Sequence, residues 1–373
     1  MKSSINVAVI GGGIIGASTA FHLSQMGTRV TVFEKEQPAS GASGHSFAWI
    51  NSFNKFPRSY HDLNHGSVER WPRFERLLNQ DIGLKWGGNV TVATDGASGN
   101  ILAQDVKRLQ TWGYPSKLIT KKELIRLEPS LKIHKISSAA YTWSEGHVIT
   151  DKVIRACMSS ILSNSGKVLL QTRVDSISQD VSGASVVVGR KIYKFDMVVV
   201  AAGVNTSQFS ESCGINLPQR ISPGVVIKTN PLPQLLKSLS VLQIINSEGL
   251  INQIHFRQST DGVVMIGTGS QEHETTDDSL ENAEKLINET SRYIPELQNV
   301  RPIRVPVGYR PMPMDELPVI GSTPKTPNIY FLLMHSGVTL APIVGELASM
   351  EIVGNLKVEC LSAFRPSRFG QKN

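Results

Sequence analysis

The chain has 373 residues, more than one hydrophobic core usually serves, so two domains or one core with large insertions are expected. Its 40% hydrophobic and 18% charged content excludes a disordered or fibrous protein. The net charge of +7 includes many basic residues between positions 107 and 135, but acidic residues interrupt them and no nucleic-acid motif accompanies them. We therefore expect a solvated basic face and no nucleic-acid partner, while attraction of anionic substrates or a membrane surface stays open.

The spacing of the cysteines and the length of the apolar runs indicate the cellular compartment of the protein. Cys157, Cys213 and Cys360 lie far apart without metal-binding or redox spacing, so we expect neither a metal site nor a disulfide framework. Three consecutive glycines interrupt the N-terminal apolar run, and no uninterrupted stretch of about 18 apolar residues occurs. These features predict a cytoplasmic protein without a transmembrane segment.

The first predicted elements form one unit, in the segment INVAVIGGGIIGASTAFHLSQMGTRVTVFEKE at residues 5–36. Its periodicity predicts a strand, a glycine turn, a helix and a parallel strand. In the G-x-G-x-x-G motif, Gly11 permits the tight turn, Gly13 lets the backbone approach a pyrophosphate, and Gly16 lets helix and strand pack closely. Glu34 closes the second strand, where a carboxylate accepts hydrogen bonds from a ribose. The unit predicts a dinucleotide site but does not separate NAD from FAD.

A second fingerprint would indicate an additional nicotinamide site. The best candidate is VVMIGTGSQE, in which Gly267 and Gly269 follow a strand. It lacks the third glycine, and polar, acidic sequence follows instead of an apolar helix. We interpret it as a strand end and turn, so a single dinucleotide site implies direct hydride exchange between substrate and cofactor.

The rest of the chain alternates between helical and extended patterns. Helices are predicted at residues 56–83, 151–164, 278–293 and 340–353; the first would bury Leu63, Val68, Trp71, Phe74 and Leu77 or Leu78, and the second would be capped near Thr150 or Asp151. Extended segments are predicted at KVLLQTRVDSI (167–177), at a hairpin over 182–195, and at DMVVVAAG (196–203), an all-apolar run typical of a buried parallel strand. Period-two strands dominate residues 217–303 and indicate a separate mixed sheet.

Four segments together resemble the FAD-dependent oxidoreductases of the D-amino acid oxidase, glycine oxidase and sarcosine oxidase type. They are the fingerprint from Gly11 to Glu34, the small-residue loop GASGHSFAWIN (41–51), the VVVAAG strand, and GYRPMPMDELPVIG…HSGVTLAPIVGE near the C-terminus. The resemblance implies an α/β fold: a Rossmann-like FAD-binding domain with an inserted mixed-sheet α+β substrate domain. The expected FAD-binding pieces are residues 1–50, 145–215 and 304–373, and the substrate-binding pieces are 51–144 and 216–303.

The resemblance also implies which residues touch FAD. Beside Gly11, Gly13, Gly16 and Glu34, the expected contacts are Ile14, Ile15, Lys35, Ala42, Ser43, His45, Ser46, Val174, Ala202, Gly203, Gly308, Arg310, Gly337, Val338 and Thr339. His45 matches the position where dimethylglycine dehydrogenase-like members attach flavin through histidine, but this chain has Gly44 where those members place an aromatic residue. A covalent link and a non-covalent contact both stay open. Gly308 stands where sarcosine oxidase-like members have a linking cysteine, so that route is absent.

Three side chains are the candidates for chemistry. By resemblance, Arg310 holds a substrate carboxylate, which a guanidinium fork matches with two hydrogen bonds. His255, on a strand face shared with Arg257, would hydrogen-bond the substrate or accept a proton from its ammonium, or be structural. His335 lies in the turn expected beneath the flavin, before Gly337.

The implied reaction is hydride transfer from a C–H beside a neutral amine nitrogen to flavin, followed by hydrolysis of the imine. Small amines, D-amino acids, and N-methyl or cyclic amino acids are the leading substrates, and oxygen or another acceptor would reoxidise the flavin. Two alternatives are a hydroxy acid or specialised intermediate as substrate, and a flavin subunit of an electron-transfer complex. The sequence does not define the oligomeric state.

Overall fold

The computed structural model describes residues 5–246, 253–268 and 276–370. Helices in these ranges are, in chain order, α1 (Ile14–Gln25), α2 (Arg58–Leu78), α3 (Gly96–Thr111), α4 (Lys121–Leu127), α5 (Thr150–Ser163), α6 (Thr206–Ser212), α7 (Leu280–Ser291) and α8 (Gly337–Gly354). Short 3₁₀ turns occur at Gly203–Asn205, Pro295–Leu297, Glu359–Phe364 and Pro366–Phe369.

The strands of the described ranges are, in chain order, β1 (Asn6–Ile10), β2 (Arg29–Phe33), β3 (Trp49–Ile50), β4 (Lys85–Trp86), β5 (Asn89–Ala93), β6 (Ser116–Leu118), β7 (Ser138–Thr142), β8 (Gly146–His147), β9 (Lys167–Leu169), β10 (Ser176–Asp180), β11 (Gly183–Val188), β12 (Lys191–Phe195), β13 (Met197–Val200), β14 (Gln219–Gly224), β15 (Val226–Pro231), β16 (Val241–Ile245), β17 (Gln253–Gln258), β18 (Val263–Thr268), β19 (Pro302–Ile303), β20 (Gly308–Pro313), β21 (Val319–Thr323) and β22 (Thr326–Leu333).

The glycine-rich unit belongs to a six-stranded sheet with the order β21-β22-β13-β1-β2-β9. Strand β1 runs parallel to both β2 and β13, β13 runs parallel to β22, and only the edge strand β21 is antiparallel in this sheet. The apolar runs of β1 and β13 are buried because helices cover one face, including α1 and α8, and β10–β12 with neighbouring loops cover the other. The predicted strand–turn–helix–strand unit and the buried VVVAAG strand are confirmed.

A second, mixed sheet has eight strands in the order β19-β15-β18-β17-β16-β5-β7-β6. Its apolar side chains, among them Val90, Leu242 and Phe256, form a separate cluster together with Leu286 of α7. The α/β fold class with a Rossmann-like sheet is thus confirmed. This sheet draws its strands from residues 89–142 and 226–303, whereas the exact domain boundaries stay a prediction.

Several element predictions need correction. The single strand predicted at residues 167–177 was wrong: Gln171 adopts a left-handed conformation with φ 50°, and β9 and β10 belong to different sheets. Helix α5 begins after Ile149 without a side-chain cap, because Asp151 pairs with Arg155 instead. In α2 the predicted apolar face is buried, with Leu78 rather than the 44%-exposed Leu77 at its end.

The later predictions fall close to the observed elements. Helix α7 is two residues shorter at each end than expected, and its first amides are capped by Ser279. Helix α8 starts at Gly337, three residues before the predicted start. It is the one described helix with the length and hydropathy of a membrane span, and 72% of it is buried inside the protein, as in a core helix. The turn predicted at Gly269 lies outside the described residues.

Candidate active site

One cavity of about 1090 Å³ extends from the carboxyl ends of β1 and β13 to β17 and β20. Such an edge of a parallel sheet is where ligands bind in doubly wound folds. The cavity brings together every predicted site residue except Gly16, whose predicted place was between helix and strand. A Cβ at Gly16 would overlap the carbonyl oxygen of Gly11, so this glycine provides the close packing that the motif predicts.

The glycine turn and the start of α1 form a cradle for an anion. Gly11 has φ 106°, and a Cβ there would overlap the carbonyl oxygen of Ala201. Helix α1 begins after Gly13 with no side-chain cap and no acidic residue in its first turn. The amide of Ile14 donates to the Ser43 hydroxyl at 3.0 Å, which ties the helix start to the small-residue loop. The positive end of the helix is therefore suited to a diphosphate.

Glu34 lies where the ribose of a dinucleotide would bind. Its Oε2 accepts a hydrogen bond from the Gly12 amide at 2.6 Å, and its Oε1 accepts one from the Glu36 amide at 2.9 Å. These bonds fix the carboxylate, and each oxygen keeps a further lone pair for a ribose hydroxyl. The residues present thus fit a dinucleotide, and no acidic group competes at the start of the helix.

The small-residue loop is fixed at several points. His45 Nδ1 lies 2.9 Å from the Gly41 carbonyl oxygen; because a carbonyl only accepts, Nδ1 carries a proton. A Cβ at Gly308 would overlap the Cβ of His45, so His45 packs directly on β20. The buried guanidinium of Arg257 donates to the Phe47 carbonyl and lies 5.5 Å from the centre of the Phe47 ring.

Arg310 enters the cavity from β20, which pairs with β14. Its Nη2 donates to the Pro223 carbonyl at 2.9 Å. A Cβ at Gly224 would overlap the guanidinium, so the glycine allows Arg310 to lie against β14. The guanidinium is thereby held with one edge on the protein backbone.

A chain of hydrogen bonds through the mixed sheet sets the tautomer of His255. Asn89 Nδ2 donates to Thr91 Oγ1 at 3.0 Å, and Thr91 donates to Gln243 Oε1 at 2.8 Å. The Gln243 amide nitrogen then lies 3.1 Å from His255 Nε2. Because an amide nitrogen only donates, His255 Nε2 accepts, and its proton resides on Nδ1. Burial lowers the pKa of His255 to about 4, so the ring is a neutral hydrogen-bond donor.

His335 belongs to a cluster at the start of α8. The Ser336 hydroxyl accepts from Tyr60 Oη at 2.7 Å and from Lys55 Nζ at 3.1 Å, and it lies 3.0 Å from His335 Nδ1. Burial, followed by the charges of Lys55, Arg310 and Arg220, holds the pKa of His335 well below its usual range. Its Nε2 is buried without a hydrogen-bond partner in the described part of the chain. This geometry orients Ser336, and a direct catalytic role of His335 stays a prediction.

Sequence reasoning missed a buried carboxylate behind the cavity wall. Both oxygens of Glu145 are used: Oε1 accepts from Tyr114 Oη at 2.6 Å and from the Phe53 amide at 3.1 Å, and Oε2 accepts from Trp49 Nε1 at 3.0 Å. Burial raises the pKa of Glu145 to about 7 against these donors. Trp49, Phe53 and Lys55 line the cavity. The sequence around Glu145 and Lys55 does not predict their place in the site, because their partners lie far away in the sequence.

The sheet topology, the anion cradle and the cationic side chain opposite it define a dinucleotide-dependent oxidoreductase. The family model for the FAD dependent oxidoreductases, named DAO, matches residues 6–350, and the chain belongs to this family. It is therefore an FAD-dependent enzyme, as the sequence predicted.

Individual relatives cover nearly the whole chain. An opine oxidase subunit from Agrobacterium tumefaciens is 24% identical over 98% of this chain and 98% of its own length. The crystal structure of glycine oxidase from Geobacillus kaustophilus has a TM-score of 0.86 at 23% identity, covering 98% of this chain and 99% of that one. The structure of L-proline dehydrogenase from P. horikoshii has a TM-score of 0.85 at 22% identity, covering 99% and 98%.

Proposed function

We propose that this enzyme oxidises the CH–N bond of a small amine or amino acid to an imine, which then hydrolyses in water. The observation that supports this most directly is Arg310 in the same cavity as the dinucleotide cradle. Relatives whose names specify glycine, L-proline or opines as substrates agree with amine chemistry. A cytoplasmic location remains part of the proposal.

The lining of the cavity supports the proposed cofactor contacts. The amides at the start of α1 and Ser43 would hold the diphosphate, Glu34 would hold the ribose, and the backbone from Gly337 to Thr339 would contact the ring. Bound FAD supplies the hydride acceptor. FAD is held without a covalent bond to His45, because this chain has Gly44 where members with a histidine link place an aromatic residue. Lys35, Ala42, Ser46, Val174, Ala202 and Gly203 complete the enclosure.

The protein's part in the reaction is orientation. Arg310 binds the substrate carboxylate through its guanidinium, which fixes the carbon next to the nitrogen. His255 donates Nδ1–H to an acceptor on the ligand; it does not accept the ammonium proton, because Nε2 is occupied by Gln243. The substrate therefore enters with its amine neutral, and its ammonium proton goes to water.

The test is anaerobic mixing of the holoenzyme with D- and L-amino acids, N-methylglycines, prolines and hydroxy acids, with flavin absorbance recorded. Arg310→Ala should keep its FAD and weaken carboxylate substrates about 100-fold, from the loss of a charge-assisted contact. Arg155→Ala, at an exposed arginine paired with Asp151, is the matched control and should behave as wild type. Bleaching by hydroxy acids alone, or by none of the compounds, would overturn the proposal and favour another substrate or an electron-transfer subunit.

A further inference from the structure

Lys55 is a cation at the substrate end of the cavity that the roles above leave without a task. It lines the cavity together with Arg310, Tyr60 and His335. Its Nζ donates to Ser336 Oγ at 3.1 Å and lies 6.0 Å from the centre of the Tyr60 ring. Among the residues that the structure describes, no carboxylate forms an ion pair with it.

The positive charge of Lys55 lowers the stability of the fold. Burial lowers the pKa of Lys55 to about 8, only partly opposed by the charge of Glu145, so the ammonium still dominates at neutral pH. A partly buried ammonium without an ion-pair partner destabilises a fold, whereas an uncharged side chain here would not. A ligand that supplies the missing anion would offset that cost.

The acidic side chains of this end do not serve as that anion. Asp105 and Glu316 line the cavity, but each is bound by an arginine: Asp105 pairs with Arg108, and Glu316 pairs with Arg220 at 2.9 Å. Their charges are therefore already compensated, and neither competes with a ligand for the ammonium of Lys55.

The segment that carries Lys55 is fixed on both sides. Before it, the Phe53 amide donates to the buried Glu145 at 3.1 Å. After it, the Phe56 ring covers the guanidinium of Arg108, whose central carbon lies 4.1 Å from the ring centre. Lys55 thus presents its ammonium from an anchored loop, as specific recognition requires.

We propose that Lys55 binds a second carboxylate of the substrate, so that the preferred substrates are amino acids with two carboxylates, one on Arg310 and one on Lys55. The proposal rests on the amine oxidation proposed above for the position of the first carboxylate. The second carboxylate belongs either to a substituent on the nitrogen, as in iminodiacetate, or to the side chain, as in aspartate and glutamate. Both sources share the spaced dianion that two separate cations recognise.

The experiment compares matched substrates in anaerobic flavin reduction by the holoenzyme. Sarcosine against iminodiacetate tests a carboxylate on nitrogen, and alanine against aspartate and glutamate, each as both enantiomers, tests one on the side chain. In wild type the dicarboxylate of the correct pair should bind about 10- to 100-fold more tightly than its monocarboxylate partner. Lys55→Met should abolish this preference, because it weakens the dicarboxylate much more than its monocarboxylate partner. Lys117→Met, at an exposed lysine paired with Glu123, is the control.

A binding measurement separates this proposal from the proposed function. Glutarate and butyrate cannot be oxidised at a CH–N bond, and their binding is followed through the flavin spectrum. Tighter, Lys55-dependent binding of glutarate without oxidation of any amine would support the carboxylate site and refute amine oxidation. Amine oxidation with no preference for dicarboxylates would overturn the Lys55 proposal alone. Loss of FAD from Lys55→Met, or equal weakening of both ligand classes, would also overturn it.

Discussion

Tyr114 gives the sharpest test of how the cavity wall is held. Its hydroxyl donates to Glu145 at 2.6 Å and accepts from the Ser52 amide at 2.9 Å, and the tyrosine, Ser52 and Glu145 are all buried. Tyr114→Phe removes both bonds at once. Tyr330 offers a matched control: its hydroxyl also donates to a buried glutamate, Glu351, at 2.6 Å, but the other donors to Glu351 in the described part of the chain, Val358 and Arg365, do not line the cavity.

The magnitudes follow from these partners. Tyr330→Phe removes one hydrogen bond to a carboxylate and should lower the free energy of unfolding by about 1.5–3 kcal/mol. Tyr114→Phe removes an equivalent bond and also leaves the buried Ser52 amide without an acceptor, which adds about 1–3 kcal/mol. Urea unfolding of both holoenzymes at one fixed FAD concentration measures the difference. Substrate binding should weaken only in Tyr114→Phe, because only its partners lead into the Phe53–Lys55 segment. Equal destabilisation by the two variants, or unaltered substrate binding in Tyr114→Phe, would refute the reasoning.

Three further predictions use the same kinds of measurement. Burial lowers the pKa of His255 from 6.5 to about 4, so between these pH values only the unfolded state binds the proton, and the protein loses stability as the pH falls through them. In urea unfolding, His255→Asn should therefore flatten the dependence of stability on pH by at most about 1.4 kcal/mol per pH unit. Parallel profiles for wild type and variant would contradict a neutral His255. Gly44→Ala should weaken FAD binding in a fluorescence titration, because its Cβ would overlap the Ala39 carbonyl. Gly96→Ala, away from the cavity lining, meets no atom within 4 Å and should bind FAD as wild type; equal affinities would argue against a tightly packed loop. Denaturation should release all FAD and leave an intact mass equal to that of the chain, and a mass increase by one flavin that disappears in His45→Ala would show a covalent bond instead.

The sequence predicts best where structure is local. The unit from β1 to β2 is contiguous, and its glycine spacing carries its own geometric reason, so the turn, the helix start and Glu34 were all identified. The tautomer of His255 could not be predicted, since it depends on Thr91 and Gln243, which meet across neighbouring strands that are far apart in the sequence. The roles of Glu145 and Lys55 were not predicted for the same reason. From the sequence alone, an acid or a lysine in a loop is expected to be exposed to solvent, and only the fold shows that it is enclosed.

The connectivity of the six-stranded sheet has a consequence for synthesis. Met197–Val200 lies between β1 and β22, and β22 ends only at Leu333, after the whole mixed sheet has been made. Until β22 has been synthesised, the all-apolar strand β13 is an unpaired edge strand of the nascent chain, and it can pair with other chains. Helix α8, whose start borders the cavity, emerges later still. We therefore expect cofactor capture to follow the synthesis of β22 and α8, and a chain terminated before residue 333 to aggregate rather than accumulate as a cofactor-free intermediate.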